Sequence, residues 1–194
     1  MIAVLTGQVH VGKTTVCRAV AELARQRGYC VRGILTPPIL DEKGERLGIE
    51  ALDLATGERR VLARVHQPDA QTGATLKPFG LGEEYHSPHV GPYHFDPEVL
   101  QWGQDVIARA IGMGCDLLII DEIGRLELEQ NSGFNKVLDL LRSSVIPRCL
   151  LVVRDTLLDS FRQRLPGLEF ITFTVTVENR HALPMEIVQR LFLA

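Results

Sequence analysis

Nine residues near the start, Gly7-Gln8-Val9-His10-Val11-Gly12-Lys13-Thr14-Thr15, constrain this chain more than any other feature. They fit G-x-x-x-x-G-K-[ST], the loop pattern that cradles nucleotide phosphates. The flanking sequence agrees with it. Ile2-Ala3-Val4-Leu5 reads as a buried strand, and Val16, Ala19, Val20, Leu23 and Ala24 then recur at helical spacing. Strand, glycine loop and helix form the unit in which backbone N–H groups and a helix N-terminus face an anion. An ordinary glycine turn would leave Lys13, directly after Gly12, without a reason. All nine residues are candidate nucleotide contacts, with Lys13 on phosphate.

The rest of the chain repeats the alternation. Apolar strand-like runs cover 2–6, 31–36, 117–120, 149–153 and 170–177. Between them lie helical patterns. One holds Val99, Trp102, Val106, Ile107, Ala110 and Ile111; another Phe134, Val137, Leu138, Leu141 and Val145. The last holds Leu183, Ile187, Val188, Leu191 and Phe192, with Pro184 in its first turn, where proline is tolerated. This predicts a three-layer α/β fold, a parallel sheet with helices on both faces, binding its ligand beyond the C-terminal strand ends. At 194 residues it reads as one domain over 1–194. Two stretches break the rhythm. Residues 48–64 read as a hairpin turning at Ala55-Thr56-Gly57-Glu58, with imperfect alternation. Residues 66–90 carry Pro68, Pro78 and Pro88 and form a long loop, either a functional lid or an insert.

Composition narrows the function. A net charge of −3 is not the basic footprint of a nucleic-acid binder. No apolar run reaches membrane-spanning length and no signal peptide is visible, so the reading is a soluble, cytoplasmic protein without a membrane partner. Cys17, Cys30, Cys115 and Cys149 are scattered, with no Cys-x-x-Cys, and read as buried free thiols in a reducing compartment. His86, His89 and His94 lack zinc-ligand spacing, and Pro88 prevents one helix from presenting the first two. They read as loop decoration.

Leu117-Leu118-Ile119-Ile120 ends in Asp121-Glu122. A buried strand finishing in an acid completes a phosphate site, because Mg²⁺ needs hard oxygen ligands beside the β- and γ-phosphates. Thr14 and Asp121 are the candidate metal ligands. Glu122 would point away from the Asp121 side if the strand stays extended, and could orient and deprotonate an attacking water. The alternative, a solvated acidic turn, loses weight given the loop upstream. An adjacent carboxylate suits hydrolysis; a nucleotide kinase has no water to activate. Guanine selectivity of the small-GTPase type is not supported, since Asn135-Lys136-Val137-Leu138 lacks the following aspartate.

With these residues in place, the chain resembles the small P-loop nucleoside-triphosphatases that include the cancer-related nucleoside-triphosphatase. The resemblance rests on Val11-Gly12-Lys13-Thr14-Thr15, Gly33-Ile34-Leu35-Thr36, Val90-Gly91-Pro92-Tyr93, Ile120-Asp121-Glu122-Ile123-Gly124-Arg125-Leu126-Glu127-Leu128 and Val177-Glu178-Asn179-Arg180. It implies a RecA-like sheet of the additional-strand, catalytic-glutamate type. It also implies Mg²⁺-dependent hydrolysis of nucleoside triphosphates of several bases to diphosphate and phosphate. Carried over by position, Lys13 and Thr14 bind phosphate and magnesium, Asp121 the metal, and Glu122 the water. The chain departs from the family at Val9-His10, where Pro-Gly is usual; at Pro37, where a glutamate is usual; and at Arg125, where lysine is common.

Arg125, Arg154 and Arg180 are candidates for stabilising transition-state charge, and Arg125 is placed with Glu122 and Lys13 as catalytic. Asn179 and Arg180 are candidate nucleotide contacts beyond the last strand, with helix capping the alternative for Asn179. Two rival functions stay open. One is a nucleotide or nucleoside kinase, with Arg154, Arg162 and Arg164 as a basic lid. The other is a nucleotide-dependent binding switch, its protein partner unspecified.

Overall fold

The structure, a computed structural model, describes residues 1–65, 88–142 and 148–193. Five strands form its parallel half: β1 (Ile2–Thr6), β2 (Val31–Leu35), β8 (Leu117–Ile123), β9 (Cys149–Val153) and β10 (Ile171–Thr174). Their spatial order is β10-β1-β9-β8-β2. All four pairings among them are parallel. β9 therefore stands between β1, which feeds the phosphate loop, and β8, which carries Asp121, the extra-strand arrangement that the resemblance implies.

The sheet then continues antiparallel, beyond the parallel sheet expected from the sequence. β4 (Arg46–Asp53) pairs with β2, and β5 (Arg59–Val65), β7 (Tyr93–Phe95) and β6 (His89–Val90) follow in that order. β3 (Pro38–Leu40) pairs with β4 alone. The sheet is thus mixed and mostly parallel in its core. The expected hairpin is β4–β5, and its imperfect alternation has a cause: the register shifts between Ile49 and Glu50. A bulge adds a residue to one strand and throws later side chains out of phase. The last part of the expected long loop is strand β6; residues 66–87 lie outside the described residues. The run 170–177 is strand only over Ile171–Thr174, because Asn179 turns the chain back just beyond it.

Two apolar layers cover the sheet. On one face, α1 (Lys13–Gln26) and α6 (Leu183–Phe192) bury Val16, Val20, Leu183 and Ile187 against Ala3, Leu5, Ile119 and Leu150. On the other, α2 (Pro97–Gly112) and α4 (Lys136–Arg142) bury Val106, Ile107, Val137 and Leu141 with Val4, Ile34, Leu118 and Leu151. Successive residues of β1 and β8 thus serve opposite faces, so strands covered on both sides read as unbroken apolar runs. α2 begins as its sequence requires: the Asp96 carboxylate accepts from the Glu98 and Val99 N–H groups, ahead of Pro97. The third helical pattern starts at Lys136, later than Phe134, and its Val145 lies outside the described residues. All four cysteines are free. Cys17 and Cys149 are buried, but Cys30 is exposed and Cys115 half-buried, against the expectation that all would be interior. Both sit at strand entrances, where the chain surfaces between elements.

Candidate functional site

A cleft of about 220 Å³ opens at the C-terminal ends of the parallel strands. From the phosphate loop it is lined by Val9, His10, Gly12, Lys13, Thr14 and Thr15. Gly7, Gln8 and Val11 act from behind. The Lys13 ammonium donates to the Gly7 carbonyl at 2.8 Å and the Gln8 carbonyl at 2.7 Å, while Val11 packs on the core. Gly7 has φ +141°, and a Cβ there would meet the Val175 carbonyl at 2.7 Å, so glycine is required. His10 has φ +66°, a left-handed conformation that side chains seldom adopt. The family's usual glycine would sit there without strain. Burial lowers the Lys13 pKa, as does Arg154 nearby, against the raising fields of Glu122, Asp121 and Asp155.

Asp121 is 2 % exposed. Its carboxylate accepts from the Thr36 N–H at 3.1 Å and from the Thr14 hydroxyl. Thr36 also donates its hydroxyl to the Asp121 carbonyl at 2.5 Å. Desolvation pushes the Asp121 carboxyl up to about 6, beyond what these hydrogen bonds and Lys13 restore. A hydroxyl and a carboxylate side by side are hard oxygen donors. No group of three or more His, Cys, Asp or Glu that could hold a metal exists among the described residues. That pair fits Mg²⁺, which takes one or two protein oxygens and completes its shell with water and substrate phosphates.

The strand does not stay extended at Glu122, contrary to expectation. Glu122 has φ +110°, and the β8–β9 register shifts between Ile120 and Ile123. This bulge leaves Asp121 buried and brings Glu122 into the cleft lining, where it is half-buried. A side-chain residue at such a φ costs about 1–3 kcal/mol, a strain that concentrates at functional sites. Arg154, at the end of β9, donates Nε–H to Glu122 Oε1 at 2.5 Å and lines the same cleft. Glu127 steadies the chain after the bulge. It is 4 % exposed, and its two oxygens accept from the Gly124 N–H and the Phe134 N–H, each at 2.8 Å. Burial still pushes its carboxyl up to about 7.

The remaining arginines separate by position. Arg180 lies over the loop, its Cδ 3.5 Å from where a Gly12 Cβ would be, with its Nε buried and without a hydrogen-bond partner among the described residues. Arg125 is not in the cleft lining; its side chain is 61 % exposed and 3.9 Å from Glu129. Arg46, which the sequence did not single out, lines the cleft from β4 with Nη2 3.3 Å from His10 Nδ1. No local motif marks it, because the hairpin brings it in from 36 residues away. The Asn179 side chain is used internally. It accepts from the Thr176 N–H at 2.8 Å and donates to the Thr174 carbonyl at 2.9 Å, bracing the turn after β10 rather than capping α6.

The proposed basic lid does not assemble. Arg162 pairs with Asp159 and lines a groove beside Met1 and Ile2, at the opposite end of β1 from the cleft. Arg164 donates to Asn131. His89 and His94 stack across the β6–β7 pair, with ring centroids 5.7 Å apart; His86 lies outside the described residues.

A family model described as NTPase matches residues 2–188. The nucleoside-triphosphatase THEP1 of Methanopyrus kandleri is 32 % identical over 189 residues, 96 % of this chain and 92 % of that one. The THEP1 of Pyrobaculum aerophilum is 35 % identical over 170 residues, 88 % and 82 % of the two chains. Among solved structures, the human cancer-related nucleoside triphosphatase superposes with TM-score 0.70 at 26 % identity, covering 99 % of this chain and 97 % of its own. THEP1 from Aquifex aeolicus shares the fold, with TM-score 0.67 at 21 % identity and 99 % coverage of each chain. The chain belongs to the NTPase family of P-loop nucleoside-triphosphatases.

Proposed function

We propose that this protein hydrolyses nucleoside 5′-triphosphates to diphosphate and phosphate with Mg²⁺, accepting several bases. The observation that carries the reading is Glu122, lifted by the β8 bulge into the Lys13–Thr14–Asp121 cleft and gripped by Arg154. In this reading Lys13, with the loop N–H groups, binds the phosphates. Thr14 and Asp121 would hold the ion, which supplies charge neutralisation at the β- and γ-oxygens. Glu122 orients the attacking water and takes its proton. Arg154 is the cleft's arginine for charge developing on the γ-phosphoryl group, a role for which its place in the lining favours it over Arg125. Arg46 and Arg180 add positive charge around a polyanionic substrate.

A broad base range agrees with the position of Asn135-Lys136, which does not stand at a strand end. Lys136 opens α4, and the amide of Asn135 just before it donates to the Asn131 carbonyl. The curated relatives are named for nucleoside triphosphates as a class. A cytoplasmic location is in keeping with four free thiols. No described helix is long and apolar enough to cross a membrane.

The test is phosphate release from ATP, GTP, CTP and UTP, with and without Mg²⁺, by the wild type and by Glu122→Gln. Release from all four by wild type with Mg²⁺ only, and a loss of about 10²-fold or more in the variant, is the expected result. Full activity in Glu122→Gln would remove Glu122 from the chemistry. Lys13→Ala should weaken nucleotide binding and hydrolysis together.

A further inference from the structure

Behind Glu122 lies a second cavity, of about 70 Å³, that the hydrolysis of a triphosphate does not need. Leu62, Leu100, Leu126, Phe134 and Leu157, all buried, form much of its wall. It joins the nucleotide cleft: Thr36, Ile49, Glu122 and Arg154 line both. Thr36, Glu122 and Arg154 put polar groups at the junction. Tyr93, Arg125 and Glu127 also line the cavity; both Glu127 oxygens are already engaged by backbone N–H groups, and the Arg125 guanidinium lies 3.9 Å from Glu129. An ordered water needs two to four polar partners, and an apolar hollow stays dry and takes up apolar molecules. A niche built only to position water would be polar throughout. This one is walled mostly by apolar side chains, with Glu122 at its mouth.

We propose that the cavity is an acceptor subsite, which seats the apolar body of a small alcohol and presents its hydroxyl to Glu122 beside the γ-phosphate. The proposal rests on the triphosphatase reading, since it uses the same carboxylate and the same phosphoryl donor. The volume sets the ligand's size. It is about half that of a cavity known to take benzene, so the body is a short branched chain rather than a ring. The acceptor oxygen bonds to the γ-phosphorus, and the bond from that phosphorus to the β–γ bridging oxygen breaks. The diphosphate leaves with the electron pair. The hydroxyl proton passes to Glu122, and a phosphate monoester forms in place of free phosphate.

The experiment incubates wild-type protein with Mg²⁺ and ATP plus isobutanol or 3-methylbutan-1-ol. Methanol and glycerol serve as controls without an apolar body. Free phosphate and alkyl phosphate are counted separately by ³¹P NMR. The expected result is ester formation that saturates with the branched alcohols and is at least tenfold weaker with the controls. Leu62→Phe lines the cavity but not the nucleotide cleft; filling the space should abolish the ester and leave phosphate release within about twofold. Leu100→Phe replaces it if that variant does not fold. Phosphate release without ester, or ester formed equally from methanol, overturns the acceptor subsite and leaves the triphosphatase reading standing. No phosphate and no ester from any mixture brings down both.

Discussion

Glu122 and Glu127 show how one short acidic stretch is divided by burial. Glu122 is half-buried, strained at φ +110° and paired with Arg154. Glu127, five residues on, is sealed in the core with both oxygens satisfied. Because burial raises the Glu127 pKa from 4.5 to about 7, the folded state binds this proton more tightly than the unfolded chain does. Stability from the group is fully present below pH 4.5 and is lost as pH rises through about 7. Wild-type protein should lose ~3 kcal/mol more than Glu127→Gln across that window, read by urea titrations at a series of pH values. Parallel pH profiles for the two proteins would contradict the buried titration. Glu127 is legible in the sequence only as part of a motif, since its burial depends on Phe134 and Gly133 folding back over it.

At the scale of elements, the pairing of β2 with β8 sets the distance between Thr36 and Asp121, and that pairing hangs on Gly33. Gly33 has φ +123°, and a Cβ there would lie 1.9 Å from the Ile119 carbonyl oxygen. Gly33→Ala should therefore destabilise the fold by about 3 kcal/mol or more, combining a forbidden φ with a backbone clash. Its denaturation midpoint is the measurement, and a change below ~1 kcal/mol would show that the strands can part there without cost. The same pairing leaves β2 free on its other edge for β4. That antiparallel addition was legible only as an isolated hairpin, since nothing local in 48–64 says which strand it joins. Its function is nonetheless direct, because β4 delivers Arg46 to the cleft and Ile49 to the junction of the two cavities.

For the molecule as a whole, binding should report on folding. A Mg²⁺-nucleotide at a hundred times its Kd adds about 2.7 kcal/mol to stability. In a protein of this size that raises the melting temperature by roughly 5–10 °C. Glu122→Gln should show nearly the same shift while hydrolysing far more slowly; a variant that also loses the shift would mean that Glu122 holds nucleotide rather than water. The sequence by itself determined the parts that are contiguous: strand, glycine loop and helix at 2–26, the apolar run ending in Asp121-Glu122, and the amphipathic helices of the two layers. Those depend on local spacing and on apolar periodicity, which a one-dimensional string carries. Only the tertiary structure decided that β9 enters between β1 and β8, which sets Arg154 against Glu122 across 32 residues. It likewise decided the bulge at Glu122 and the apolar hollow behind it, whose walls come from β5, α2, α3 (Arg125–Leu128) and the residues before α4. Strand order and register fix which side chains meet at a sheet's end, and no spacing along the chain encodes them.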